Sequence, residues 1–215
     1  MTKPMTIDFV SDVSCPWCVI GLGALEQAIA RAHDVVAPTI TFHPFELNPQ
    51  MGPDGQNIAE HIAEKYGATP EQSASNRARI RDSAAAFGFE MKTGPESRIY
   101  NTFDAHRLLH WAQVQGKQTA LKKRLFQLYF TDGGNPSDHA QLAAAAADVG
   151  LDAGEARDVL ASDRYADEVR TEERFWQAQG ITAVPAIVID QKYLIMGGQP
   201  PEAFERALRK IAAEA

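Results

Sequence analysis

Cysteine is nearly absent: the 215-residue chain has two. A disulfide-stapled scaffold is thereby excluded, and a zinc site, which needs four ligands, has no further thiols to draw on. Long hydrophobic runs are also missing, with no 18 consecutive apolar residues anywhere, so the reading has no membrane partner. Positive charge is in deficit, 21 Lys and Arg against 28 Asp and Glu for a net −7. No basic patch is visible, which argues against a nucleic-acid partner because phosphate binding needs one. The first residues contain no apolar segment of signal-peptide length and no small-residue cleavage site, which makes the cytoplasm the expected compartment. What remains, 45% hydrophobic and 23% charged residues, is ordinary for a folded globular chain. Oligomeric state is left open.

Both cysteines fall in one stretch, Ser14-Cys15-Pro16-Trp17-Cys18. It lies between a strand-like run, Ile7 to Val13, and a helix-periodic one in which Val19, Leu22, Leu25 and Ile29 recur at spacings of three and four. A helix start presents unpaired N–H groups and the positive end of the macrodipole, which favours a thiolate. Cys15 is therefore expected to be acidic, in the range of about 3.5 to 7.5 found for leading cysteines of such pairs. Cys18, one turn later, is the resolving thiol. Two cysteines this close in a reducing compartment make a poor structural staple. The other readings of the pair are inert core thiols, or half of a metal or cluster site completed by a second copy.

Residues 6–13 read as a strand, and residues 15–33 as a helix with Pro16 in the first turn, where a missing N–H costs nothing. Preceding a proline, Cys15 is biased out of the helical region and suits a cap. Thr39 to Phe45 alternates as a second strand, closed by Asn48-Pro49 and Gly52-Pro53. From residue 57 to about 180 the chain is alanine-rich and helix-periodic, broken by glycines. Apolar sets there include Ile99, Phe103, Leu109 and Trp111; Leu121, Leu125, Leu128 and Tyr129; and Val169, Phe175 and Trp176. Phe89 to Met91 reads as a short extended piece, and no strand alternation shows elsewhere in this region. Ala186 to Asp190 and Tyr193 to Met196 form a hairpin through a tight Asp190-Gln191-Lys192 turn. Pro200-Pro201 open a last helix with Phe204, Leu208 and Ile211 on one face.

A strand, a Cys-x-x-Cys helix, a second strand and a distant Val184-Pro185 before a hairpin and closing helix resemble the thioredoxin fold interrupted by helices. Asp12, Cys15-Pro16-Trp17-Cys18 with Gly21, Phe45 to Pro49, Asn101 to Arg107, Gly180 to Pro185 and Gly198 to Pro201 are similar to the DsbA-like disulfide oxidoreductases, FrnE type. The resemblance implies an α/β thioredoxin-like domain, discontinuous over residues 1–56 and 180–215, with a helical insertion at 57–179. It also implies a cis bond between Val184 and Pro185. That geometry turns the Val184 backbone toward the cysteines, where it can pair with an extended substrate by a short strand addition. The reading without the resemblance is an ordinary strand-opening proline.

The function implied is thiol:disulfide exchange on protein or peptide substrates. Cys15 attacks, Cys18 resolves, and Trp17, Val184 and Pro185 bind substrate. No metal is required, nor any cofactor, apart from glutathione as a co-substrate. Trp17 offers either an aromatic wall or plain packing. Asp12 and Pro16 are candidate modulators, Asp12 by tuning proton transfer or simply by solvating a strand end. His106 and His110 share a helix face at ligand spacing but lack a third ligand, and read as core or surface histidines. Asn101, Asp104 and Arg107 carry a family signature that would shape the cleft wall. Glu168, Arg170, Glu172, Glu173 and Arg174 read as a solvated helix face with no functional signal. Two rival functions share this outline. One is glutathione-dependent isomerisation or transfer, as in the 2-hydroxychromene-2-carboxylate isomerases and kappa-type glutathione transferases, which typically carry serine where this chain has Cys15. The other is a chaperone-like binding module.

Overall fold

In the computed structural model, residues 2–52 and 54–214 are described. The first strand, β1 (Lys3–Ser11), leads through a short turn into α1 (Pro16–Arg31), and β2 (Val36–Pro44) follows. β3 (Gln56–Asn57), α2 (Ile58–Tyr66), α3 (Pro70–Ala85) and β4 (Arg98–Ile99) come next. Asn57 caps α2, and a Thr69/Gln72 capping box opens α3. The helices α4 (Phe103–Val114), α5 (Gln118–Phe130), α6 (His139–Asp148), α7 (Ala153–Leu160) and α8 (Ala166–Ala178) complete the middle of the chain. The return is β5 (Ala186–Ile189), β6 (Tyr193–Met196) and α9 (Pro201–Ala213).

The main sheet has the order β2-β1-β5-β6, with β1 and β2 parallel and the other pairings antiparallel. β1 alternates, with Met5, Ile7 and Phe9 buried and Thr6 and Asp8 more open between them, and is fully covered only from Phe9 to Ser11 at its C-terminal end. Met5, Ile7 and Phe9 enter one cluster with α1 and α9, while Val10 joins Trp176, Ile181 and Ala186 in another. Asp190 and Gln191 take φ of 49° and 55° in the β5–β6 turn, the left-handed geometry that tight hairpins use. The larger cluster also holds Ile80, Ala84, Phe126, Tyr129 and Phe130 from the inserted helices.

Three readings of the middle region change. Phe89 to Met91 has no strand pairing; the extended pieces are instead β3 and β4, two residues each, pairing Gln56 with Ile99 and Asn57 with Arg98. Strands this short leave no alternation to read. Ile99 thus lies on β4, outside the helix it was grouped with. Phe175 is 53% exposed, so the apolar face of α8 is Val169 and Trp176.

Candidate active site

Cys15 is the N-cap of α1, with φ −91° and ψ 113°, and Pro16 fixes the first helical position. No acidic side chain occupies the first turn and no side chain caps it, so the positive end of the helix faces Cys15 uncompensated. The Cys15 amide donates to the Asp12 carbonyl at 3.3 Å, and the Cys18 amide donates to the Cys15 carbonyl at 3.1 Å. Both thiols are free. Cys15 is 3% exposed and Cys18 fully buried. Burial pushes the Cys18 thiol well above its ordinary range, the neighbouring Cys15 adds to this, and the Lys122 charge opposes it.

Across from the helix start, the Val184–Pro185 bond is cis, and the Cys15 thiol donates to the Val184 carbonyl at 3.7 Å. Two glycines permit this approach. A Cβ on Gly21 would lie 3.0 Å from Pro185 Cγ and 3.4 Å from Gly198 Cα, and one on Gly198 would lie 3.3 Å from the Trp17 carbonyl oxygen. Gly21→Val should therefore push the proline loop off α1 and cost about 2 kcal/mol, as overpacking does. A denaturant midpoint unchanged from wild type would show that the loop yields without cost. Trp17 is half-buried, with the Arg79 guanidinium of α3 5.7 Å from its ring centroid.

Asp12 is buried and does not solvate a strand end. Its carboxylate accepts from the Leu47 amide at 2.7 Å and the Ser14 amide at 3.2 Å, tying the loop after β2 to the turn before α1. His106, also buried, brings Nε2 to 3.6 Å from it, an electrostatic contact longer than a hydrogen bond. Burial raises the Asp12 pKa, but His106 and the two amides outweigh that and hold it below the usual carboxylate value.

The α8 charges are not an idle surface. Arg170 bridges the carboxylates of Glu46 and Glu173, of which Glu173 is 7% exposed. Its guanidinium also stacks 3.8 Å from the Phe103 centroid. Glu172 meets His43 Nδ1 and His110 Nδ1, each at 3.3 Å, and His43 Nε2 meets Asp8 at 2.9 Å. A charge run is solvated by default; here α8 packs on β2 and α4, which no period in the run reveals. Burial pushes the Glu172 pKa up, but His110 and His43 prevail and bring it to about 2. Burial likewise lowers His43, yet Asp8 and Glu172 prevail and raise it above 6.5. Glu172 thus stabilises the fold fully above its unfolded value near 4.5, a contribution lost as pH falls toward about 2. His43 contributes fully below 6.5, and this is lost as pH rises through its raised folded value. Glu172→Gln should flatten both limbs of the stability–pH curve and cost about 2 kcal/mol near pH 6, between the values for exposed and buried pairs. Thermal midpoints across pH check it, and a curve that keeps its shape refutes it.

The signature residues lie just before and in the first turns of α4, where they bind backbone and neighbouring side chains. Asn101 accepts from the Phe103 amide, and Asp104 pairs with Arg107 at 3.0 Å and His139 at 2.6 Å. The Arg107 guanidinium donates to the carbonyls of Val159, Leu160, Ser162 and Arg164, closing the end of α7. Asp104 and Arg107 hold helix to helix, while the Asn101 side-chain amide donates to the Pro49 carbonyl at 3.3 Å in the loop after β2. Lys122 is fully buried, a placement its charge does not suggest. Its signal was the four-residue step from Lys122 to Phe126, which places it on an apolar face. Among the described residues no group of three or more His, Cys, Asp or Glu side chains is arranged to hold a metal ion, and no helix is long and apolar enough to cross a membrane.

A four-stranded sheet with a dithiol at the first helix start and a cis-proline opposite defines a thioredoxin-type redox fold. Residues 6–209 match the family described as DSBA-like thioredoxin domain. The chain belongs to that family, with the thioredoxin-like fold interrupted by a helical insertion. It superposes with TM-score 0.93 on a probable DsbA oxidoreductase from Streptomyces coelicolor, 36% identical, over 98% of this chain and 91% of that one. A Bacillus subtilis protein, the uncharacterized YwbO, is 28% identical over 94% of both chains. A 2-hydroxychromene-2-carboxylate isomerase shares the fold at TM-score 0.73 and 13% identity, each chain covered to 97%.

Proposed function

We propose that this protein is a thiol:disulfide oxidoreductase or isomerase acting on protein or peptide disulfides through Cys15 and Cys18. The observation that carries the reading is the Cys15 thiol at an uncompensated helix start, 3.7 Å from the Val184 carbonyl. The Cys15 sulfur attacks one sulfur of a substrate disulfide, the substrate S–S bond breaks, and one substrate thiol departs. Cys18 then attacks the Cys15 sulfur of the mixed disulfide, the second substrate thiol departs, and the two electrons have passed to substrate. Two equivalents of an external thiol of the glutathione class, as co-substrate, return the pair to the dithiol and leave as their own disulfide. Since that compartment is reducing, a cytoplasmic setting favours reduction and isomerisation over net oxidation. The Val184 backbone supplies a rim for an extended peptide, and Trp17 with Arg79 supplies an aromatic and cationic wall.

Equilibration against graded ratios of reduced and oxidised glutathione tests this. The expected result is a reversible intramolecular Cys15–Cys18 disulfide and reduction of a protein disulfide such as insulin. Absence of that disulfide, with small-molecule isomerisation surviving loss of Cys18, would assign the glutathione-dependent alternative instead. Suppression of aggregation that survives loss of both cysteines would assign the binding module.

A further inference from the structure

The Val184 carbonyl meets the Cys15 thiol, yet the segment leading to it is thinly covered: Thr182 and Ala183 are exposed. What holds the segment is Trp176, near the end of α8. Its indole is 7% exposed and packs in one cluster with Ile181, Ala186 and Val10, and Val184 lies against that cluster. The Ile181 amide also donates to the Trp176 carbonyl at 3.1 Å, so the turn out of α8 is tied to the same residue. Trp176 in turn meets His43 of β2, with ring centroids 4.9 Å apart and planes at 55°. His43 is fixed at both nitrogens, Nε2 by Asp8 of β1 at 2.9 Å and Nδ1 by Glu172 of α8 at 3.3 Å. An imidazole that donates to a carboxylate from each nitrogen carries its positive charge, and a cation this close to an indole is attracted by the ring.

We propose that His43 and Trp176 are positioning residues for substrate capture: the Asp8–His43–Glu172 bridge seats the Trp176 indole, and the indole holds the Val184 segment where an extended peptide pairs with it beside Cys15. The inference rests on the exchange reading above and concerns its strand addition, not its thiol chemistry. A backbone rim serves a peptide only while its carbonyl and amide keep their place, and a misplacement of about 1 Å costs up to about a hundredfold in rate. Besides Asp8 and Glu172, the titratable groups around His43 are His106 and His110 of α4 and Lys122 of α5, which line one small cavity with it. Glu172 also receives His110 Nδ1 at 3.3 Å, so one carboxylate joins α8 to both β2 and α4. Burial lowers the His43 pKa, but Asp8 and Glu172 outweigh it and raise it above 6.5. The bridge is therefore charged below that raised value and loses its charge as pH rises through it. Peptide capture should weaken on the alkaline side, whereas direct reaction of Cys15 with a small reagent should not.

The test follows two reactions of Cys15 across pH in wild type, His43→Gln, Trp176→Leu and Trp176→Phe. One is glutathione-driven reduction of a disulfide in an extended peptide; the other is alkylation by iodoacetamide, which needs no strand partner. Their ratio cancels the ionisation of Cys15 itself. H43Q and W176L are expected to raise KM for the peptide about tenfold with kcat within about twofold, while W176F, which restores a ring, keeps KM near wild type. In wild type the ratio should fall as pH rises through the His43 value, and in H43Q it should stay flat. Amide hydrogen exchange gives a reading independent of catalysis: protection of Ile181 should fall in H43Q and W176L while that of β1 holds. Where W176L does not fold by circular dichroism, H43Q carries the comparison. Equal loss in both reactions, a flat ratio in wild type, or unchanged Ile181 protection overturns the proposal. A wild type that is alkylated at Cys15 but reduces no disulfide overturns the exchange reading instead, and Ile181 protection in H43Q still decides whether His43 holds the segment through Trp176.

Discussion

Cys15→Ser should abolish thiol–disulfide exchange, with a loss of about a thousandfold or more, because no other sulfur at the site is placed to begin it. Cys18 sits beneath the helix start and fully out of solvent, so it cannot take over attack on an external disulfide. Cys18→Ser should behave differently: the first step proceeds and the substrate stays bound to Cys15 as a mixed disulfide, visible as a mass increase that reductant removes. Insulin reduction and intact-mass measurement check the pair. Full activity of Cys15→Ser would sink the dithiol mechanism outright. The serine variant retains the N-cap position, and serine is a better capping side chain than cysteine, so stability should not fall.

Arg107→Leu should be the most destabilising single change away from the cysteines. The guanidinium donates to four backbone carbonyls at the end of α7 and to Asp104, and the side chain is 5% exposed. Removing it leaves acceptors without donors and the Asp104 charge half-paired, a cost of about 3–5 kcal/mol for a buried ionic contact. That corresponds to a fall in thermal midpoint of about 10 °C for a chain of this size. Lysine should not rescue it, because one ammonium cannot reach carbonyls spread over residues 159 to 164 with the planar fork that arginine provides. Calorimetry on both variants decides, and a midpoint within about 2 °C of wild type would show that water replaces the guanidinium without loss.

The ends of the chain were legible and the middle only in outline, for a physical reason. β1, α1, β5, β6 and α9 are specified by local pattern, and their prolines and glycines mark the joints: Pro16 at the helix start, Pro185 before β5, and Gly21 against Gly198. In the inserted region the same periodicity that reveals helices says nothing about which charged side chain the fold turns inward. Glu172, Glu173 and Arg170 look like solvated charges until β2 and the loop carrying Glu46 are laid against α8. Lys122 looks like one of two adjacent lysines, yet only Lys123 reaches a surface partner, Glu26. Asp12 is the residue directly after β1, and its surroundings include Leu47 and His106, which are 35 and 94 positions away. Long-range pairing of this sort leaves no trace in a one-dimensional pattern.

The cluster that joins Ile7 and Phe9 of the sheet to Phe126, Tyr129 and Phe130 of α5 crosses the boundary between core fold and insertion. A sheet unit cut free at residues 56 and 180 would turn that shared wall toward water. The inserted helices therefore supply part of the wall behind Cys15 and Cys18. Amides of β1 and α5 should accordingly share their protection from hydrogen exchange and open together, as one cooperative unit.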